Sequence, residues 1–214
     1  MATDLEFQIQ LALGHAPHSI KPLSGGSVAE VFQISMPDGD QFVGKLGQSS
    51  GALLSEGWML EYLRNNSSLP VPKVFYSSDQ LLIMEYLHNE GGISDSAQKH
   101  AADLLAALHD ITSSNYGLNK DTVIGGLHQP NNTSKQWITF FRDQRLIYMG
   151  RQSLEVGKLP SNLMKKLELF CERLDEFIEE PSYPGLIHGD MWGGNILCDR
   201  TGVIGFIDPA IYFA

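Results

Sequence analysis

The residues best placed to do chemistry lie near the carboxyl end, in the run His188-Gly189-Asp190-Met191-Trp192-Gly193-Gly194-Asn195, with Asp208 thirteen positions after Asn195. Asp190 sits at the mouth of a loop and Asn195 is expected to begin the strand that leaves it. A turn at Asp199-Arg200-Thr201-Gly202 doubles the chain back, so Asp208, ending the return strand, comes close to Asn195. An amide oxygen and a carboxylate then converge, with the Asp190 carboxylate a few residues off. Hard oxygen donors of this kind suit Mg²⁺, which keeps several waters and accepts phosphate oxygens. In phosphoryl transfer one Asp accepts the proton of the attacking hydroxyl, while an Asn and a second Asp hold the metal that bridges the phosphates. The Asp-x-x-x-x-Asn step also occurs in the catalytic loop of protein kinases.

The amino-terminal half supplies complementary parts. Lys45 ends an apolar strand, the place from which a lysine can pair with nucleotide phosphates, and a helix carboxylate is needed to hold it. Glu56 and Glu61 are both offered. Glu56 shares a helix face with Leu53, Leu60 and Leu63, whereas Glu61 lies well round the helix, so Glu56 is the expected partner. In Leu23-Ser24-Gly25-Gly26-Ser27 the backbone at Gly26 and the Ser27 hydroxyl are candidates to approach a phosphate. The turn matches neither a Walker A sequence nor the protein-kinase glycine loop. The apolar run Leu82-Ile83-Met84-Glu85-Tyr86-Leu87 leads out between the halves, and the backbone at Glu85 and Leu87 is the candidate contact for an adenine edge.

Elements must hold these groups in place. Residues 28–34 alternate apolar and polar, Pro37-Asp38-Gly39-Asp40 is a turn signal and 41–45 follow as a second strand, so the stretch reads as a hairpin. A helix is expected over 52–64, then short strands near 73–76 and 81–84. From Ser96 the spacing turns helical, with Ala97, Ala101, Leu104, Leu105, Leu108 and Ile111 at steps of three and four. Further helices are expected over 137–147 and 161–180, the latter with a stripe of Leu163, Leu167, Phe170, Leu174 and Phe177. Residues 195–198 and 203–207 read as a closing hairpin. The pattern is an α+β chain with a β-rich front (1–86) and a helical back (87–214), and a cleft between them.

With 214 residues, the chain is long enough for one large domain or two small lobes. A formal net charge of −10, from 25 acidic against 15 basic residues, argues against a nucleic-acid partner. No apolar run is long enough to span a membrane, and the acidic start is unlike a signal peptide, so a soluble, cytoplasmic protein is expected. Two cysteines, Cys171 and Cys198, cannot build a disulfide framework or a four-ligand zinc site.

The chain resembles the fructosamine kinase (ketosamine-3-kinase) family, in the aminoglycoside-phosphotransferase-like branch of the protein-kinase fold. The resemblance runs from Leu23 to Phe213. It rests on the tryptophan-containing run from His188 to Asn195, on Ile207-Asp208-Pro209-Ala210-Ile211-Tyr212, and on Gln129-Pro130-Asn131 followed by Trp137, Phe140-Phe141 and Arg145-Leu146.

It implies a two-lobed, protein-kinase-like fold and an ATP- and Mg²⁺-dependent kinase acting on the sugar 3-hydroxyl of fructosamines or related ketosamines, with a small glycated amine as partner. It makes Asp190 the base, Asn195 and Asp208 the metal ligands, Lys45 and Glu56 the nucleotide-ordering pair, and Glu85 to Leu87 the hinge. Trp192, between the base and Asn195, is expected to stack on the acceptor's sugar carbons.

The family continues beyond the position of Ala214 with helices that complete the larger lobe, so that lobe is expected to be incomplete here, with the 161–180 stripe uncovered. Two other readings stay open: a phosphotransferase for an aminoglycoside, choline or similar alcohol, and a non-catalytic nucleotide-binding module.

Overall fold

A computed structural model describes residues 2–23, 29–48 and 50–214. The front half is built on an antiparallel sheet of five strands, β1 (Ser19–Pro22), β2 (Glu30–Ser35), β3 (Gln41–Leu46), β4 (Val74–Ser77) and β5 (Leu81–Glu85), in the order β1-β2-β3-β5-β4. Two helices flank it, α1 (Ala2–Leu13) and α2 (Ala52–Asn66). Strand alternation sorts the side chains between them. Phe32, Ile34, Phe42, Leu81 and Ile83 pack with Ile9 of α1. Met84, on the opposite parity, joins Met59, Leu60 and Leu63 of α2 in the larger core. Gly44 is required within β3 because the Phe32 ring lies where its Cβ would be. The same alternation turns Lys45 away from α1 and into the cleft.

The back half begins with α3 (Asp95–His109), whose first turn is capped by Ser94, its Oγ accepting from Ala97 N–H at 3.2 Å. The hairpin β6 (Thr122–Ile124) and β7 (Leu127–Gln129) follows, closed by Gly125-Gly126. Next come α4 (Trp137–Phe141), a π-helical stretch Arg142–Ile147, α5 (Tyr148–Glu155) and α6 (Ser161–Cys171). Three pieces of strand complete the chain beside β8 (Leu186–Ile187): β9 (Ile196–Asp199), β10 (Gly202–Phe206) and β11 (Tyr212–Phe213). β9 pairs with β10, and β11 with β8, placing Tyr212 opposite Ile187. Among the described residues no helix is long and apolar enough to cross a membrane. Cys171 and Cys198 are both buried and free.

Several sequence expectations are corrected. The front half has a second helix, α1, that its weak pattern did not announce. The helix expected over 137–147 continues to Glu155, with the π-helical stretch inside it. The one expected over 161–180 ends at Cys171, and a short 3₁₀ turn, Leu174–Glu176, follows. Of its apolar stripe Leu174 is buried, while Leu163, Phe170 and Phe177 are exposed. Asn195 closes a 3₁₀ turn, Gly193–Asn195, and β9 begins one residue later.

Candidate active site

The loop from His188 to Asn195 hangs between β8 and β9, and the segment 207–211 runs between β10 and β11, so two paired strands hold both ends of the loop beside that segment. Gly189 takes φ 84°, and a Cβ there would overlap the carbonyl oxygen of Ala210. Glycine therefore permits the close approach of the two segments. Asn195 Nδ2 donates to the Asp190 carbonyl at 2.8 Å and to Asp190 Oδ2 at 3.2 Å. Two acceptors on that side fix the amide orientation, and Asn195 Oδ1 has no hydrogen-bond partner among the described residues. Asp208 has φ 55°, the only positive φ of a non-glycine among the described residues, so the carboxylate is presented by strained backbone.

From the front half, Lys45 Nζ meets Glu56 Oε1 at 2.6 Å and also pairs with Asp208 Oδ1. Glu61 is exposed and makes no such contact. Burial pulls the Lys45 pKa down, but Glu56 and Asp208 together outweigh it and leave the pKa raised. Burial also pushes Glu56 up, against the pull of the Lys45 ammonium. Ionised, two carboxylates share one ammonium, so the cluster carries a surplus negative charge.

The Asp208 carboxylate and Asn195 Oδ1 are hard oxygen donors of the kind that would suit a magnesium ion. Among the described residues no group of three or more His, Cys, Asp or Glu side chains forms a closed cage. Asn195 and Asp208 would leave most positions on the ion to water and phosphate, which is how Mg²⁺ is usually held.

Asp190, Asn195, Asp208, Lys45 and Glu56 line one cavity of 140 Å³, along with Trp192, Met59, Val123, Gly125 and Gly126. Trp192 is 63% exposed, and its ring lies across the backbone of Gly194, where a Cβ would overlap it. An adjoining cavity of 510 Å³ shares Lys45 and Asp208 and runs out to residues 85–87. Its walls combine apolar side chains, among them Leu23, Val31, Val43, Met84, Leu197 and Ile207, with the polar Lys45, Glu85, Asn89 and Asp208. Glu85 turns its carboxylate back to Lys73 N–H at 3.1 Å. Leu87 lies against β10, touching the position a Cβ on Gly205 would take. Its N–H has no hydrogen-bond partner among the described residues. Gly26 and Ser27 lie outside the described residues.

Sequence reasoning overlooked Val123, Gly125 and Gly126. The Val-Ile-Gly-Gly run carries a hairpin signal, but nothing local says that the turn enters the cleft. It also missed the Lys45–Asp208 pair, which joins residues 163 positions apart.

The fructosamine kinase family model matches residues 1–214. The chain belongs to the fructosamine kinase family. Among curated relatives, a probable ketoamine kinase of Enterococcus faecium is 34% identical over 138 residues, covering 64% of this chain and 48% of that protein. The chloroplastic protein-ribulosamine 3-kinase of Arabidopsis thaliana is 27% identical over 198 residues, covering 88% of this chain and 60% of that protein. The aligned regions thus span about half to three fifths of these relatives. A candidate fructosamine-3-kinase from Thermobifida fusca shares the fold, with a TM-score of 0.84 at 24% identity, covering 97% of this chain and 73% of that one. The protein-kinase-like, two-lobed architecture, with a sheet-rich front and a largely helical back, follows from this likeness.

Proposed function

We propose that this fructosamine kinase family member binds ATP in the larger cavity and transfers its γ-phosphoryl group to the sugar 3-hydroxyl of a fructosamine or related ketosamine. The observation that carries this reading is the meeting of Asp190, Asn195 and Asp208 with the Lys45–Glu56 pair in a single cleft. Residues 1–86 serve as the nucleotide lobe and 87–214 as the catalytic lobe.

Each residue has a distinct task. The adenine ring inserts among the apolar walls and takes its polar edge to the backbone at Glu85 and Leu87. Lys45, oriented by Glu56, places its ammonium on the phosphates, and Gly26 and Ser27 approach them from the turn. Asn195 Oδ1 and the Asp208 carboxylate hold the magnesium ion, which when bound neutralises phosphate charge. Asp190 accepts the proton of the acceptor hydroxyl as its oxygen bonds to the γ-phosphorus. The bond from that phosphorus to the bridging oxygen breaks, and ADP leaves with the electron pair. Trp192 stacks on the sugar at the cleft mouth. The protein's contribution is positioning and electrostatics.

The test is ATP consumption with Mg²⁺ against fructose-lysine, ribulose-lysine, free sugars, aminoglycosides and choline. Turnover on the two glycated amines is expected. Turnover confined to the aminoglycosides or choline would replace the acceptor class, and Mg·ATP binding without any turnover would favour a nucleotide-binding module.

A further inference from the structure

Outside the residues given a task above, one buried polar chain runs from the helical half to the cleft. Arg145 is turned inward by the π-helical stretch and donates to the Pro130 carbonyl and to Asn131 Oδ1, each at 2.6 Å. Its guanidinium carbon lies 4.0 Å from the Tyr212 ring centroid. Asn131 Nδ2 donates to Thr122 Oγ1 at 2.9 Å, and so does Gln129 Nε2, at the same distance. Gln129 Nε2 also reaches the carbonyl of Ala210, at 3.0 Å. The N–H of Ala210 in turn donates to His188 O at 2.8 Å. The N–H and the carbonyl of one residue, Ala210, thus join the hairpin β6–β7, the base loop and the turn that carries Asp208.

We propose that Gln129 is a positioning residue: by holding the Ala210 carbonyl it fixes the strained Asp208 turn against the His188–Asp190 loop, and so places the Asp208 carboxylate for its metal. The inference rests on the assignment of Asp190 and Asp208 given above. Three observations carry it. Gln129 is 1% exposed and spends its amide on the Ala210 carbonyl, 81 residues away. Asp208 sits two residues before Ala210 with a positive φ, a conformation that persists only where its surroundings hold it. The far end of the same hairpin, Val123, Gly125 and Gly126, lines the cavity beside Glu56, and Lys120 before it stacks over Trp58 of α2 at 4.3 Å. The hairpin therefore touches α2 at one end and the Asp208 turn at the other.

The test compares the wild-type chain with Gln129→Met, which keeps length and removes the donor, and Gln129→Glu. The readouts are thermal melting, nucleotide affinity without metal, the Mg²⁺ concentration that half-saturates tight nucleotide binding, and hydrogen exchange at the Ala210 amide. For Gln129→Met, metal-free affinity is expected to stay near wild type while the half-saturating Mg²⁺ concentration rises by roughly tenfold, the scale found for outer partners of metal ligands. The Ala210 amide should exchange faster. Gln129→Glu restores a donor when its buried carboxyl is protonated, so its Mg²⁺ response should approach wild type at acid pH and resemble Gln129→Met at alkaline pH, measured against wild type at each pH. This second variant carries the test if Gln129→Met does not fold. If the variants lower only the melting temperature and leave the Mg²⁺ response unchanged, the proposal fails and the site assignment stands. If wild type shows no Mg²⁺-dependent nucleotide binding, the Asp208 assignment fails and this inference with it.

Discussion

Asn195 donates its amide nitrogen to Asp190 twice over, to the backbone carbonyl at 2.8 Å and to the carboxylate at 3.2 Å. The paired contact orients the Asp190 carboxylate and turns the Asn195 amide oxygen the other way, as the proposed roles of base and metal ligand require. Asp190→Asn keeps an acceptor for this contact and removes the charge. It should lower kcat by about 10²–10⁴-fold while Mg·ATP affinity stays close to wild type. Steady-state kinetics with nucleotide titration checks both halves.

Asp208→Asn should separate from Asp190→Asn in a binding assay. It removes a charge from the donor set for Mg²⁺, so nucleotide affinity should weaken when Mg²⁺ is present and change little in its absence. Equal weakening in both conditions would mean that Asp208 acts on the nucleotide through Lys45, its ion-pair partner, and not through a metal.

Lys45→Met should weaken nucleotide binding with or without Mg²⁺ and also destabilise the fold, because Glu56 is left buried beside Asp208 without a cation. Removing one member of a buried pair costs about 3–5 kcal/mol. The sign with pH is defined. Burial and Asp208 raise the Glu56 pKa in the folded chain. Without the opposing ammonium it rises further, so the added stability loss is absent below the ordinary carboxyl pKa and grows as pH rises toward the folded value. Melting curves from acid to neutral pH should show the gap to wild type widening, and Glu56→Gln added to Lys45→Met should close much of it.

Trp192→Ala should leave melting almost unchanged, since the ring is largely solvent-exposed, and should raise the acceptor KM without moving that of ATP. Loss of ATP affinity in Trp192→Ala would contradict the placement of the acceptor at this ring.

His188 is 1% exposed, and neither ring nitrogen makes a hydrogen bond among the described residues, although backbone groups of Asp190 and Ile207 lie nearby. Burial depresses its pKa below the ordinary value, outweighing the pull of Asp190 and Asp208. The unfolded chain therefore takes up a proton near pH ~6.5 that the folded chain refuses. Stability should fall as pH drops from about 6.5 toward the folded value, and His188→Leu should flatten this part of the melting profile.

The sequence showed the site more clearly than the scaffold. Asp190, Asn195 and Asp208 are close in sequence and joined by a hairpin, so spacing alone brought them together. Glu56 was separable from Glu61 because helix periodicity distinguishes a face that packs from one that does not. Lys45–Asp208 and Gln129–Ala210 were invisible, since each joins segments whose meeting depends on the packing of the two halves. The helix that stops at Cys171 misled for a related reason. Phe170 and Phe177 continue a helical spacing, yet both remain exposed, so that periodicity had no buried surface to reward it. Helix α1 carries a weak amphipathic pattern and is held chiefly by Ile9 on the sheet, a contact no local window reveals.

The most direct test of the central claim is to identify the phosphorylated product of fructose-lysine or ribulose-lysine, incubated with Mg·ATP and either the wild-type chain or Asp190→Asn, by mass spectrometry and phosphorus NMR. The account predicts phosphate on the sugar 3-hydroxyl with wild type, and at most traces with Asp190→Asn even though that variant still binds Mg·ATP. Phosphate on any other group, or product formed by Asp190→Asn at the wild-type rate, would contradict it.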